Sequence, residues 1–434
     1  MGKVVKLEPT SKQHASARRG AVGAKKRGTA GARPTRRRRS HKTALVLGGG
    51  GFTGGVYEIG ALRALDLMAT NSTVNQFDVY VGTSAGSFIA ALCANGVTPE
   101  EMMRVVTHQG RAPFRDVDLG DLLHLNLLEF ARTGVTLPLR MVSLARQVVA
   151  QRGQVSAMDV ILGLAEGLPS GAYTGAGIES YLHSVLGEPG RSDEFAGLRR
   201  ELYLTATDLD TCERIVFGAE GYDDVPISTA VRASGALPMV YAPVEVKGRE
   251  LIDGGIVSTT NLDIAVEAGA KLVVVINPLV PYVNDFVEQT RTLRGTRPRH
   301  VSDMGFAQIG YQTFKLLAHQ RLHEMAERWE ERYPGVDIVL IEPEPNDELM
   351  FKTSMMNFTS RVEIARHGFQ SVTKHLAGEY EHYREICERH GLEISAKRVN
   401  KVVAHFDVEQ EETSAWRKIL EGTTGALLRQ TGSD

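Results

Sequence analysis

The stretch that most constrains this chain is Val81-Gly82-Thr83-Ser84-Ala85-Gly86-Ser87. Phe77 to Val81 precedes it, rich in β-branched and aromatic residues, and Ser87 to Ala94 follows, rich in helix formers. A G-x-S-x-G set between a strand and a helix is the nucleophile-elbow pattern. The turn is so tight that the residues flanking the serine must lack bulk. The hydroxyl is then lifted above the sheet, and the helix N-terminus beneath it favours developing negative charge. Ser84 is therefore a candidate nucleophile, although the same five residues also occur in ordinary surface turns.

A second glycine-rich turn lies about thirty residues upstream. Thr43-Ala44-Leu45-Val46-Leu47 is a continuous apolar run, as expected of a parallel strand buried on both faces. It runs into Gly48-Gly49-Gly50-Gly51-Phe52-Thr53-Gly54 and then a helical pattern from Val56 through Met68. Gly49, Gly51 and Gly54 satisfy G-x-G-x-x-G, the dinucleotide fingerprint. That reading requires an acid at the end of the next strand. Asp78 stands at its start instead, and the strand ends in the serine elbow, so the cofactor reading loses. The alternative is an oxyanion hole, in which N–H groups of Gly49, Gly50 and Gly51 converge on a substrate carbonyl with no Cβ in the way. In a right-handed βαβ unit the two strands are neighbours, so both loops open on one edge of the sheet.

Together these motifs resemble the patatin-like phospholipases, a family with a glycine-rich oxyanion loop, then G-x-S-x-G, and much later Asp-Gly-Gly or Asp-Gly-Ala. Here the third motif is Asp253-Gly254-Gly255, preceded by Ala230-Val231-Arg232-Ala233-Ser234-Gly235-Ala236-Leu237-Pro238, which looks like the family's block at that place. The match spans roughly residues 42 to 280. On its own Asp-Gly-Gly is simply a good turn. The resemblance implies that Asp253 is the base partner of Ser84 in a dyad without histidine. It also implies a three-layer α/β/α patatin-like fold with a mainly parallel central sheet, a lipid ester substrate, and no metal or organic cofactor. A carboxylate near its reference pKa is a poor base for a hydroxyl, so Asp253 is expected to be partly desolvated. The chain departs from the family at Thr53, where a Lys or Arg is usual. Any help from a cation in orienting the loop or attracting anionic headgroups is missing there.

Organisation follows charge and composition. Residues 1–42 carry 14 Lys or Arg against Glu8 alone, a charge of +13, which leaves −15 for the rest of a chain whose net charge is −2. With Gly, Ala, Ser and Pro between the charges, residues 1–41 are expected to form a disordered basic tail, a solvated leader or a contact for anionic membrane or nucleic acid. Residues 42–285 are expected to form the catalytic domain, with 97–200 as a helical insertion. Its Leu119 to Phe130 stretch is either ordinary core or the wall or lid of an acyl groove. Residues 286–400 read as a mostly helical C-terminal extension and 401–434 as a polar tail. Cys93, Cys212 and Cys387 show no paired spacing, which points to a reducing, cytoplasmic setting. No apolar run spans a bilayer and no signal-type leader is evident, so any membrane association is expected to be peripheral.

Three rivals stay open: a Ser-Asp-His hydrolase completed by a late histidine such as His300 or His319, an acyltransferase, and a non-catalytic scaffold that docks through the basic tail. His319 and His323 also have the i, i+4 spacing of a zinc pair. With no third ligand or Glu motif beside them in the sequence, a solvated helix face is the expectation.

Overall fold

The structure, a computed structural model, describes residues 41–107, 114–115, 124–126, 169–286, 289–292, 295–345, 347, 349–350 and 359–404. The basic tail, most of 108–168 and the polar C-terminal tail lie outside the described residues. Of the leucines in the 119–130 stretch only Leu125 is described, and it is exposed.

In chain order, β1 is Lys42–Leu47, α1 Gly51–Met68, β2 Val79–Thr83, α2 Ala85–Ala94, α3 Pro99–Thr107, β3 Gly171–Tyr173 and α4 Ala176–Leu186. Then come β4 Glu201–Asp208, β5 Arg214–Phe217, α5 Ile227–Ser234, β6 Met239–Tyr241, β7 Val244–Val246, β8 Arg249–Asp253, α6 Leu262–Glu267 and β9 Ala270–Ile276. The remainder is β10 Gln289–Thr292, β11 Gly295–Pro298, α7 Phe306–Ala326, α8 Trp329–Arg332, β12 Asp337–Ile341, α9 Arg361–Gly378 and α10 Tyr380–Arg389.

The central sheet runs β12-β9-β1-β2-β4-β8-β7, with β5 also paired to β4. From β12 to β4 the pairing is parallel, and β8, β7 and β5 run antiparallel. The strands lack hydrophobic alternation because both faces are covered. Leu45 and Leu47 of β1 enter a core shared with α1, α2 and α9, whereas Ala44 and Val46 enter one shared with α6, α7 and α8. Tyr80 of β2 and Leu272, Val274 and Ile276 of β9 follow the first pattern, with Val79, Val81, Val273 and Val275 following the second. The result is the three-layer α/β/α arrangement with a mainly parallel sheet.

The C-terminal part is mostly helical, as expected, and among the described residues it returns once to the sheet. β12 pairs along β9 from Asp337↔Leu272 to Ile341↔Ile276. The helices of this part are interrupted at two places. The chain leaves helical geometry at Arg328, between α7 and α8, and at Glu379 just after Gly378, between α9 and α10.

α9 packs across α1 with backbone against backbone. A Cβ on Gly60 would sit 2.2 Å from the Ala365 carbonyl oxygen, and one on Gly368 would sit 2.5 Å from that of Tyr57. Any larger residue at either place must push the helices apart. Gly368→Val is therefore expected to destabilise the protein by about 1–3 kcal/mol or more through overpacking. Gly310→Ala on α7, where a Cβ would meet nothing within 4 Å, is expected to stabilise slightly through helix propensity. Thermal or urea unfolding of the two variants checks both signs.

Candidate active site

The two loops foreseen from the sequence meet at the carboxyl edge of β1 and β2. Leu47 is in register with Gly82, so both strands deliver their loops at one level. Gly86 N–H donates to the Gly48 carbonyl at 3.1 Å. A Cβ on Gly86 would lie 2.4 Å from that oxygen, and one on Gly82 only 2.5 Å from Ser87 Cα. The two glycines of G-x-S-x-G are thus steric requirements. Between them Ser84 takes φ 53°, ψ −127°, at the N-cap of α2. A non-glycine residue held there stores roughly 1–3 kcal/mol of strain, and the bonds around it hold it in place. Its N–H donates to Ser234 Oγ at 2.9 Å, and its carbonyl accepts from Ser87 N at 2.9 Å and Ser87 Oγ at 2.5 Å.

Ser84 Oγ donates to Asp253 Oδ2 at 2.5 Å. Asp253 ends β8, and its peptide N–H donates to the Ala236 carbonyl at 3.0 Å. Its second oxygen accepts from Gly255 N at 2.7 Å. The side chain is 2% exposed. Burial pushes its pKa up to about 6, against the opposing pull of the hydrogen bonds from Ser84 and Gly255. The expected desolvation is present.

The Gly49–Gly51 loop lies over the serine. A Cβ on Gly49 would come 3.2 Å from Ser84 Cβ and 3.8 Å from its Oγ, so a side chain there would fill the space above the hydroxyl. Among the described residues no acceptor takes the N–H of Gly49, Gly50 or Gly51. Thr53, where a cation is usual, is buried on the first turn of α1. Asp78, which the cofactor reading required at the other end of β2, accepts from Thr43 N at 3.0 Å and pairs with Arg200.

Beside Ser84 opens a cavity of ≈ 160 Å³. Its apolar wall includes Ile59 of α1, Leu92 of α2, Met102 and Val106 of α3, Tyr181 of α4 and Val231 of α5. Both described ends of the 97–200 insertion therefore line it. Arg232, on the same lining, is tied to Glu179 at 2.8 Å and to the Thr174 carbonyl at 3.1 Å.

The residues that sequence reasoning missed lie behind the pair. Asn261, 1% exposed, donates through Nδ2 to Thr83 Oγ1 at 3.0 Å, Thr205 Oγ1 at 3.1 Å and the Ser258 carbonyl at 2.7 Å. This ties β2, β4 and the turn after Asp253 together. No short motif marks it. Ser234 carried a signal, since it stands in the block quoted above. Among the described residues no histidine bonds Ser84 or Asp253. His300 is exposed with its ring against Phe286, and His319 stacks on His323.

The model of the patatin-like phospholipase family matches residues 45–266, half of the chain. A probable lipid hydrolase, 463L, of Invertebrate iridescent virus 6 is 24% identical over 229 residues, 51% of this chain and 63% of that protein. The chain thus spans less than two thirds of this curated relative's length. Among solved structures, VipD from Legionella pneumophila aligns at 14% identity over 78% of this chain and 67% of its own, with a TM-score of 0.37. The type III effector ExoU, known from Pseudomonas aeruginosa, aligns at 15% identity over 91% and 66%, with a TM-score of 0.32. With its three motifs in order inside the matched segment, this chain belongs to the patatin-like phospholipase family.

Proposed function

We propose that the chain is a serine lipid acyl hydrolase that cleaves carboxylic esters with a Ser84–Asp253 dyad. The observation that carries this reading is the 2.5 Å hydrogen bond from Ser84 Oγ to a desolvated carboxylate at the mouth of an apolar cavity. An acyl chain enters that cavity, which brings the ester carbonyl beneath the glycine loop. Ser84 Oγ attacks the carbonyl carbon as its proton passes to Asp253 Oδ2. The oxyanion that forms is held by N–H groups of Gly49, Gly50 and Gly51. The C–O bond to the alcohol then breaks, and the leaving oxygen takes the proton from Asp253. Water repeats the sequence on the acyl-enzyme, with Asp253 again accepting and returning one proton. A carboxyl with a pKa near 6 is far better matched to both transfers at neutral pH than an ordinary aspartate.

The basic stretch before β1 adds a second element. Its charge of +12 over 41 residues would draw the enzyme to anionic lipid by Coulomb attraction that weakens with salt.

A fluorophosphonate probe is expected to label the wild-type chain and to spare Ser84→Ala, whose thermal stability stays close to wild type. Equal labelling of both, or hydrolysis retained in the variant, would reject Ser84 as nucleophile. An unlabelled wild type would favour a scaffold.

Asp253→Asn is expected to lower kcat by about two to four orders of magnitude, the range of general-base catalysis. In the wild type kcat/KM should rise with pH and level off above about 6. Stability moves the opposite way. The folded pKa of Asp253 lies above its unfolded value, so its contribution is full below about pH 4 and lost as pH rises through about 6. Asp253→Asn should therefore match the wild type in unfolding free energy near pH 4 and exceed it at pH 8, by up to about 3 kcal/mol, with Tm following. A Tm difference that does not change with pH would show that this carboxyl is not desolvated.

Removal of residues 1–41 should reduce binding to anionic vesicles at low salt and leave hydrolysis of a soluble monomeric ester unchanged. Vesicle binding equal to that of the full chain would remove the tail as a membrane contact.

A further inference from the structure

The helix pair passed over in the sequence acquires a partner in the fold. We propose that His319, His323 and Glu342 form a binding site for a zinc-class divalent cation that ties α7 to the end of β12. His319 and His323 lie one turn apart on α7, with rings stacked at 4.0 Å between centroids and 29° between planes. Glu342 directly follows β12, 19 residues after His323, and is 3% exposed. His323 Nε2 lies 2.9 Å from Glu342 Oε2, and one ligand atom from each of the three residues falls within 4.8 Å of the others.

Two imidazoles and one carboxylate are a known zinc donor set, and an i, i+4 histidine pair presents both rings on one helix face. Ligand atoms on a tetrahedral zinc at bond lengths of about 2.0–2.1 Å stand some 3.3 Å apart, so the widest separations in the cluster close by up to about 1.5 Å and the His323–Glu342 pair opens slightly. The adjustment falls on the half-buried imidazoles of α7, because Glu342 is already fixed. Its Oε1 accepts from Asn277 Nδ2 at 2.7 Å, the kind of outer partner that orients a metal-binding carboxylate.

Charge argues the same way. Glu342 is nearly removed from water, and Asn277 brings no charge to it. A divalent ion held by both rings would answer that buried charge. The site adjoins the catalytic edge. Asn277 Oδ1 accepts from Leu279 N at 3.4 Å and lies 3.2 Å from where a Cβ on Gly48 would stand. The ion would cross-link α7 and β12 just behind the glycine loop without touching substrate.

The test uses the full chain, untagged and stripped with EDTA, titrated with Zn²⁺ alone by calorimetry and with Co²⁺ by visible absorption. One equivalent is expected to bind the wild type and Ser84→Ala alike, with d–d bands of a low-coordinate cobalt site and a rise in Tm. His319→Ala and His323→Ala should each weaken binding at least about tenfold and abolish the cobalt bands and the Tm rise. Glu342→Gln, which can keep the bond from Asn277, should do the same; should it not fold, the two histidine variants decide the matter. No binding at micromolar Zn²⁺ would overturn the proposal, as would binding unchanged in both histidine variants, which would place the ion elsewhere among the 13 histidines and three cysteines. Because Ser84→Ala must bind like the wild type, failure here leaves the hydrolase reading untouched.

Discussion

The contact between the loops after β1 and β2 sets the rest of the site. Gly86 N–H is bonded to Gly48 O, and the space between the loops admits no side chain at Gly86. That proximity puts Gly49 over Ser84 and fixes the level at which the hydroxyl emerges. It also explains how a serine persists in left-handed backbone. Its amide is bonded to Ser234 and its carbonyl to Ser87, so relaxing φ would break several hydrogen bonds at once. The strain is outweighed by neighbours, and the proposed nucleophile is fixed before any substrate arrives.

The same compactness governs the electrostatics. Asp253 sits at the end of an antiparallel strand added to a parallel sheet, where both of its neighbours are protein. Its carboxyl is held by two hydrogen bonds and is still pushed up to about 6. Nearby, Glu58 of α1 is fully buried, and burial raises its pKa well above the usual carboxylate range. The Thr83–Thr205–Asn261 cluster is the contrasting case, a buried group of neutral polar side chains that bond to one another. Neutral groups satisfy each other at little electrostatic cost, whereas the acid is left short of full compensation. That difference separates the atoms that support the site from the atom suited to move a proton.

What could be read from the sequence was whatever short-range chemistry enforces. A continuous apolar run marked Thr43–Leu47 because parallel strands buried on both faces need no alternation. The glycines of both loops were legible because sterics leave no other residue for them. Asp253 was legible only through its place in an ordered set, since Asp-Gly-Gly is an ordinary turn when read alone. Asn261 and Glu342 were not legible. Each acts on partners 50 or more residues away in some of its bonds, or, for Glu342, 65 residues away at Asn277, and such proximity is created only by the closed sheet. The helix breaks at Arg328 and Glu379 carry no such signal, because helical spacing of apolar residues runs through them.

The segment that carries the family's motifs does not complete the site by itself. β9 lies beyond residue 266, yet it is the neighbour of β1, and Pro278 in the loop after it meets the space above Gly50 and Gly54. A Cβ on either glycine would come 3.0 Å from Pro278 Cγ, so this proline packs directly against the glycine loop. α7 then crosses to the turn that follows Asp253, where Arg321 donates to the Val257 carbonyl at 2.5 Å and Phe314 lies near Gly255. α9 clamps α1, the helix that the glycine loop opens. Three later elements thus brace three different parts of the constellation: the loop from behind, the aspartate's turn from above, and the first helix along its length. The C-terminal region is accordingly part of what positions the chemistry, and its contacts with the catalytic edge fall on backbone and glycine, where small displacements reach the reacting atoms directly.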